Sequence, residues 1–184
     1  MIETERLVMR PPEASDLAWQ LEWLNTPAVM RFLGGEPRPA DQVHAGFERN
    51  SEAMSKGEPA FWTLVLRTSG ETIGKCGLSR IEEQFAPRAI AGAIQAGWSL
   101  AEPFWGKGLA GEAARATLGY GFSRFAVPEI WAQTSQSNTA SNRLMARLGM
   151  TLCPQYSYAD PDYPPADNPT IVYRIARAEW DAQS

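Results

Sequence analysis

Hydrophobic positions follow a period of two in some segments of the chain and of three to four in others, so the sequence predicts both strands and helices. Short runs of β-branched and aromatic residues predict strands. These runs are Leu7–Arg10, Phe61–Arg67, Thr72–Leu78, Gly92–Leu100, Ile130–Thr134 and Thr170–Ala176. Helical spacing bounded by caps, glycines or prolines predicts helices. They begin at Ser15 or Asp16, at Asp41, at Ala110 and at Thr139.

The order of these elements predicts a mixed α/β fold. Phe61–Leu78 indicates an antiparallel hairpin in the first half, and strands alternate with helices in the second half. The sequence contains no internal repeat and no linker of biased composition. We therefore expect residues 1–184 to form a single domain.

The most informative segment is the loop that leads from the fourth predicted strand into an Ala-rich helix. It runs from Trp98 to Ala113 and contains Gly106, Gly108 and Gly111. Glycines remove the Cβ atoms that keep backbone N–H groups away from a phosphate, and the first turn of a helix has unpaired donors. The helix dipole adds about 0.3–1 kcal/mol per interaction. The loop therefore predicts an anion-binding site.

Other interpretations of this loop fit less well. The spacing Gly106-x-Gly108-x-x-Gly111 matches a dinucleotide-binding pattern, but it occurs past the middle of the chain and outside a suitable βαβ unit. A phosphate-binding P-loop needs Gly-Lys-Ser/Thr, whereas Lys107 is followed by glycine. A purely structural strand–helix turn stays open on the loop alone.

Three ordered motifs resemble the GCN5-related N-acetyltransferases, in particular the branch that includes ribosomal-protein N-terminal acetyltransferases. They are Gly97-Trp-Ser-Leu100, Trp105-Gly-Lys-Gly-Leu-Ala-Gly-Glu-Ala113, and Asn138-Thr-Ala-Ser-Asn-Arg-Leu-Met-Ala-Arg-Leu-Gly149. The resemblance covers nearly the whole chain, from Thr4 to Trp180. It implies a mostly antiparallel twisted sheet of six to seven strands with one splayed pair, flanked by about four helices.

The resemblance also implies acetyl-CoA as co-substrate and assigns residues to it. Main-chain groups of Trp98, Ser99 and Leu100 would pair with the pantetheine. The pyrophosphate loop would comprise Trp105, Gly106, Lys107, Gly108, Leu109, Ala110 and Gly111. Asn138 and Ser141 match an Asn-x-x-Ser pattern that faces the cofactor, although an N-terminal helix cap is the other interpretation of Asn138. No metal is implied.

The implied reaction is direct attack of an amine on the thioester. Ser141 is the candidate to protonate the departing thiolate, because Met145 occupies the position where many relatives have a tyrosine. The usual base is a glutamate two residues before the strand glycine, and here that position is Gln95. Possible replacements are Glu22, Glu112 and Asp160, of which Glu112 is better explained as a helix-dipole partner.

The missing glutamate affects the choice of acceptor. At pH 7 an α-amine with a pKa near 8 is about 10% neutral, whereas a lysine side chain is only about 0.04% neutral. We therefore expect an acceptor of low pKa, such as a peptide N-terminus. Two alternatives remain: a small-molecule acetyltransferase acting on an antibiotic, polyamine or amino acid, and a non-catalytic acyl-CoA-binding module.

Aromatic residues predict the acceptor pocket, with core packing as the alternative for each. The candidates are Trp19, Trp23, Phe32, Trp62, Trp98 and Tyr156. A loop with Tyr158, Asp160, Asp162 and Tyr163 also predicts attraction of a cationic acceptor, although a solvated loop is the simpler interpretation.

Composition and charge limit the partners and the cellular compartment that we expect for the protein. Its net charge of −4 argues against nucleic-acid binding, and no apolar run is long enough to span a membrane. The single histidine, His44, lies on a predicted solvated helix face and excludes most His-based metal sites. Without an export signal, Cys76 and Cys153 are expected to be reduced in a cytoplasmic protein. A homodimer is left open.

Overall fold

The structure, a computed structural model, describes residues 1–82, 84–161 and 163–183. Within these residues eight strands form one sheet, in the order β1-β2-β3-β4-β5-β6-β8-β7. The strands are β1 Ile2–Glu3, β2 Leu7–Arg10, β3 Phe61–Leu66, β4 Thr72–Arg80, β5 Ile94–Leu100, β6 Glu129–Ser135, β7 Thr151–Leu152 and β8 Thr170–Ala176.

Strands β5 and β6 are parallel, whereas the other neighbouring pairs run antiparallel. The β4–β5 pair is in register from Gly74 to Arg80, but β5 and β6 are in register only at Gln95 opposite Trp131. The two strands therefore diverge toward their carboxyl ends and leave an opening in the middle of the sheet. The predicted splayed pair is confirmed.

Helices cover both faces of the sheet. They are α1 Ala14–Trp23, α2 Pro27–Met30, α3 Ala40–Lys56, α4 Leu109–Phe125, α5 Thr139–Arg147 and α6 Arg177–Asp181. Cys76 of β4 lies 3.2 Å from the Thr117 hydroxyl of α4, and this contact defines the α4 face. The Thr63 hydroxyl of β3 donates to Asp16 of α1 at 2.7 Å on the opposite, α1 face.

The mixed α/β architecture is confirmed, with differences in number. The sheet has eight strands instead of six to seven, and the described residues contain six α-helices instead of about four. The elements that the sequence pattern missed are short. They are Ile2–Glu3, Pro27–Met30, Thr151–Leu152 and Arg177–Asp181. Segments of two to five residues cannot display a hydrophobic period, so tertiary pairing alone reveals them.

The start of α1 differs from the prediction. Its N-cap is Glu13 and not Ser15 or Asp16, and the Asp16 carboxylate turns back to accept the Glu13 N–H at 2.8 Å. The same carboxylate binds both terminal nitrogens of the Arg10 guanidinium, at 2.7 and 2.8 Å. Burial alone would raise the pKa of Asp16, but these donors outweigh it and the pKa is lowered. Asp16 thereby fixes α1 to the sheet.

The main core lies between the sheet and α4. One side of α4 is buried in it, with Ala113, Ala114, Leu118 and Phe122 at 1% exposure or less. Cys76 and Cys153 are buried free thiols. No helix among the residues described has the length and apolar character needed to cross a membrane.

Candidate active site

Strand β5 presents alternate residues to the two faces of the sheet. Trp98 lies on the α4 face, where its indole N–H donates to the Ser141 hydroxyl of α5 at 3.3 Å. Gly97 and Ser99 lie on the α1 face, and a Cβ on Gly97 would be 3.1 Å from the Phe61 ring. One strand therefore separates two environments, with α4 and α5 on one side and Phe61 and α1 on the other.

The loop between β5 and α4 contains two glycines with left-handed backbone conformations. The angle φ is +72° at Gly106 and +76° at Gly108, a region that other residues rarely adopt. A Cβ on Gly106 would meet no described atom within 4 Å, so the loop faces open space there. The residues present fit an extended anionic group, because no side chain on Gly106 obstructs its approach.

The first turn of α4 supplies backbone donors beside these glycines. The Glu112 N–H donates to the Gly108 carbonyl at 3.2 Å, and this is the first bond of the helical series. The amides of Leu109, Ala110 and Gly111 therefore precede the helical series and have no helical carbonyl to bind. They point along the positive end of the helix dipole, as an anion-binding helix start requires.

The side chains of the loop fold back against its own backbone. The indole N–H of Trp105 donates to the Leu100 carbonyl at 2.6 Å, although the residue is 49% exposed. The Lys107 ammonium lies 5.5 Å from the centre of the Phe104 ring. Trp105 thus ties the end of β5 to the loop, while Lys107 stays at the rim.

The N-terminal segment holds the loop from its other side. Arg6 donates through Nη1 to the Lys107 carbonyl at 2.9 Å, and through Nε to the Glu112 carboxylate at 2.6 Å. The Arg6 N–H and the Thr4 hydroxyl donate to the same carboxylate at 2.7 and 2.6 Å. Burial alone would raise the pKa of Glu112, but these hydrogen bonds outweigh it and the pKa is lowered.

Glu112 is therefore a fixed carboxylate and a weak proton acceptor, which fits its interpretation as a helix-dipole partner. Sequence reasoning did not single out Thr4 or Arg6. Both lie in the segment from Thr4 to Arg10, which belongs to the resemblance, but local sequence cannot show that Arg6 reaches a loop about 100 residues away.

Helix α5 begins across the opening from β5. The Asn138 side chain accepts the Ser141 N–H at 3.2 Å and donates to the Thr134 hydroxyl at 3.0 Å, so Asn138 is the N-cap of α5. The Ser141 hydroxyl accepts from Trp98, and its own O–H has no acceptor among the described residues. Met145 is buried, with 1% exposure. Ser141 is thus a donor held at the opening.

The α1 face of the central strands carries an unusual cation. Lys75 of β4 lies opposite Thr63 on one side and Ser99 on the other. Its ammonium is 5.8 Å from the centre of the Phe61 ring. Burial, aided by the positive charge of Arg38, lowers the pKa of Lys75 to about 8. Sequence reasoning missed this residue, although one cation inside a β-prone run was the available signal.

The aromatic acceptor candidates are not brought together. Trp62 is buried in the core, where its ring meets Tyr120 of α4 edge-on at 4.7 Å. Trp98 also lies on the α4 face. Trp19 packs against a cluster around Leu24 and Val29. The α4 face therefore holds two of the six candidates, away from Lys75 and Phe61.

The remaining three candidates have different surroundings. Trp23 is 41% exposed and lines a surface cavity that Glu22 also lines. Phe32 lies beneath the Arg31 guanidinium at 4.9 Å, and Tyr156 meets the Trp131 ring edge-on at 5.3 Å.

Of the aromatic-acidic loop, Asp162 lies outside the described residues. The Asp160 N–H is held by the Asn168 side chain at 2.8 Å, and the Tyr158 hydroxyl donates to Gln133 at 3.1 Å. The Tyr163 hydroxyl accepts the Gly34 N–H at 3.1 Å. Much of this loop is therefore tied to the protein and does not extend freely into solvent.

The diverging strands and the loop at the start of α4 define an acyl-CoA-dependent transferase fold, and comparison with known proteins gives the family. Residues 6–151 match the model of the acetyltransferase (GNAT) domain, and the chain belongs to this family. The protein is thus an acetyl-CoA-dependent N-acetyltransferase.

Individual relatives agree with the family. The FsC-acetyl coenzyme A-N(2)-transacetylase of Aspergillus fumigatus is 26% identical over 97% of this chain and 77% of that protein. A crystal structure of an acetyltransferase from Agrobacterium tumefaciens has a TM-score of 0.78 and 25% identity, covering 96% of this chain and 94% of that one. A ribosomal-protein α-N-acetyltransferase in complex with coenzyme A shares the fold, with a TM-score of 0.74 at 16% identity over 94% and 95% of the two chains.

Proposed function

We propose that the protein transfers an acetyl group by direct attack of an α-amino group, as at a peptide N-terminus, without a covalent enzyme intermediate. The observation that carries this proposal is the opening between β5 and β6, which ends at the free amides of the α4 start. An acyl chain with an anionic end fits this combination of an open strand edge and an anion-binding helix start.

Bound acetyl-CoA supplies the acetyl group as an activated thioester. The residues that would hold it are those of the open loop and the free strand edge. The amides from Gly106 to Gly111 would bind the pyrophosphate, and the backbone of Trp98–Leu100 would pair with the pantetheine. Arg6 holds the loop in place through the Lys107 carbonyl.

Two groups of this chain serve the chemical step in the proposal. A main-chain N–H of the Trp98–Leu100 segment donates to the carbonyl oxygen as negative charge develops on it. The Ser141 hydroxyl donates a proton or a hydrogen bond to the departing sulfur. The Trp98 indole fixes the position of that hydroxyl, because it donates to Ser141 Oγ at 3.3 Å.

The proposed acceptor follows from the residue at position 95. Gln95 lies on the α1 face, and its amide cannot remove a proton from an ammonium group. Deprotonation then occurs mostly in solution, which favours an α-amine over a lysine side chain by about 3 kcal/mol at pH 7. The name of the Aspergillus fumigatus relative, an N(2)-transacetylase, supports transfer to nitrogen.

The pH dependence of turnover tests this proposal. At subsaturating acceptor, we expect the rate to rise with pH along the acceptor's own titration, and to level near a different pH when the acceptor is changed. The measurement is thiol release from acetyl-CoA with a panel of peptides and amines. One inflection near pH 6, unmoved by the acceptor, would show an enzyme base instead. Absence of turnover with every amine would favour a non-catalytic acyl-CoA-binding module.

A further inference from the structure

Two cations, the partly buried Lys75 and the exposed Arg38, lie near each other at the α1 face of the central strands, which we call the acceptor side, with Lys75 on its floor. Among the residues that the structure describes, no carboxylate lies within 4.0 Å of the Lys75 ammonium or the Arg38 guanidinium. Arg38 donates only to a neutral group through its side chain, the Leu33 carbonyl at 3.0 Å. The Asn25 side chain holds the Arg38 backbone through two bonds of 2.8 Å, so this loop has a fixed position.

In contrast to Lys75 and Arg38, two other arginines of this protein have carboxylate partners. The Arg10 guanidinium binds both oxygens of Asp16, at 2.7 and 2.8 Å. Arg31 lies 3.5 Å from the Asp167 carboxylate. Asp16 also reaches Thr63, the register neighbour of Lys75, but its oxygens are already occupied by Arg10 and Thr63. Among the described residues, Lys75 is therefore left without a carboxylate partner, because the nearby Asp16 carboxylate already binds Arg10 and Thr63.

An unpaired charge in a partly buried place costs free energy, and buried charges in proteins are usually paired. The cost is visible at Lys75, whose pKa falls to about 8 because burial and the charge of Arg38 disfavour the ammonium. An anionic ligand would remove this cost by supplying the missing negative charge. Perturbed charges of this kind concentrate at functional sites.

The position of Lys75 indicates where an anion bound to it would lie relative to strand β5. Lys75 and Ser99 are register partners, so their Cα atoms lie about 4.5–5.5 Å apart. Ser99 belongs to the strand whose backbone would face the thioester. Lys75, Gly97 and Ser99 are all partly exposed although they lie in central strands, so α1 and α3 leave this floor accessible. An anion on Lys75 would therefore lie beside the strand that is proposed to face the thioester.

We infer that the acceptor carries a carboxylate close to its amine, and that Lys75, assisted by Arg38, binds that carboxylate. This inference rests on the proposed function and narrows its substrate class. A free α-amino acid has this chemistry, and so does a peptide with an acidic side chain next to its N-terminus. Lys75 is a specificity residue in either case, because it touches the acceptor and not the acetyl group.

Matched acceptor pairs test the inference. Leucine and leucinamide differ in the carboxylate, and peptides that begin Ala-Asp or Ala-Asn differ in the same way at their second residue. The ratio of kcat/KM within each pair is measured for the wild type, Lys75→Met and Lys56→Met. Lys56 is the matched control, since it is an exposed lysine of α3 bound to Glu52 at 2.6 Å. Differences in amine pKa cancel when ratios are compared between variants.

We expect the wild type to prefer the charged member of one pair, and Lys75→Met to reduce that preference at least tenfold while Lys56→Met leaves it unchanged. The pair that shows the effect identifies the source of the carboxylate. Equal ratios in the wild type and Lys75→Met for both pairs would overturn the inference.

A binding measurement separates this inference from the proposed function. With coenzyme A present, calorimetry of N-acetylleucine and N-acetylleucinamide reports carboxylate recognition without any turnover. Weaker binding of N-acetylleucine to Lys75→Met than to the wild type supports the inference even where no amine is acetylated. Equal binding of both compounds to the wild type, together with no charge preference in turnover, would contradict it.

Discussion

The two faces of strand β5 are built in different ways. Toward α4 the site is made of backbone amides, two left-handed glycines and a short network that joins Arg6, Glu112 and Lys107. Toward α1 it is made of side chains from several elements, among them Lys75, which has no carboxylate within 4.0 Å among the described residues. One side presents donors in a fixed arrangement, whereas the other presents a lysine whose charged form is disfavoured by burial.

In the proposed function, this difference follows from what each side would recognise. A cofactor shared by a whole family can be bound by main-chain groups, which depend little on side-chain identity. The acceptor differs from one family member to another, so its recognition must come from side chains that can change. Cofactor binding and acceptor choice should therefore respond to different mutations.

The largest effect is expected from Gly108→Val. The variant places a β-branched side chain at φ +76° in the loop and keeps the amides away from the pyrophosphate. We expect the Kd for coenzyme A to rise at least tenfold, which corresponds to about 1.4 kcal/mol. Gly70→Val is the control, because Gly70 has φ +71° in the β3–β4 turn. Unchanged affinity in calorimetry would remove the loop from the binding site.

Ser141→Ala tests whether the α4 face also takes part in the chemical step. We expect kcat to fall about tenfold while the Kd for coenzyme A changes little, since a partner for the departing sulfur matters as the bond breaks. Trp98→Phe removes the indole donor but keeps the hydroxyl, and should have a smaller effect. Equal losses of binding and turnover would make Ser141 a packing or binding residue.

Arg6→Ala tests the support of the loop from the N-terminal segment. The variant loses the contacts to the Lys107 carbonyl and the Glu112 carboxylate. We expect the Kd for coenzyme A to rise about fivefold, equivalent to about 1 kcal/mol. The control is Arg67→Ala, because Arg67 binds the Thr4 carbonyl of the same segment but not the loop. A similar loss in both variants would indicate a general effect of the segment.

Lys75→Met should raise the thermal stability of the protein. The pKa of Lys75 is lowered to about 8 from 10.5, so the folded state disfavours its charged form. Below pH 8 the wild type bears this cost, and the variant should unfold at a temperature higher by about 2–4 °C for each kcal/mol of that cost. The cost falls as pH rises from 8 to 10.5, because the folded lysine is then already neutral. A lower melting temperature at pH 7 would show that Lys75 is compensated.

The conformation of the loop proposed to bind the cofactor was largely predictable from sequence, because its features are local. Gly106 and Gly108 are separated only by Lys107 in the chain, and their backbone conformations follow from the turn that they make. The acceptor side was not predictable in the same way. Trp62 looked equally suited to a pocket and to the core, and only the pairing of β3 shows that it points toward Tyr120.

Contacts that only the fold reveals account for the other differences. Asn138 fitted two roles, and in the fold its side chain accepts the Ser141 N–H at 3.2 Å as the cap of α5. Arg6 and Lys107 are joined only after β2 and the start of α4 meet. The role of Gln95 in place of the usual base stays a prediction, whereas Lys75, which lies opposite Ser99 on the same face, required the β4–β5 register.

The single register pair between β5 and β6 also has a consequence for local unfolding of the protein. Backbone hydrogen bonds couple strands within each half of the sheet, but hardly across its middle. Helix α4 joins the halves, since a Cβ on Gly121 would lie 3.0 Å from Leu78 of β4 and 2.8 Å from Ile130 of β6. We expect native-state hydrogen exchange to resolve two cooperative units, β1–β5 and β6–β8, and their protection to converge when coenzyme A fills the gap.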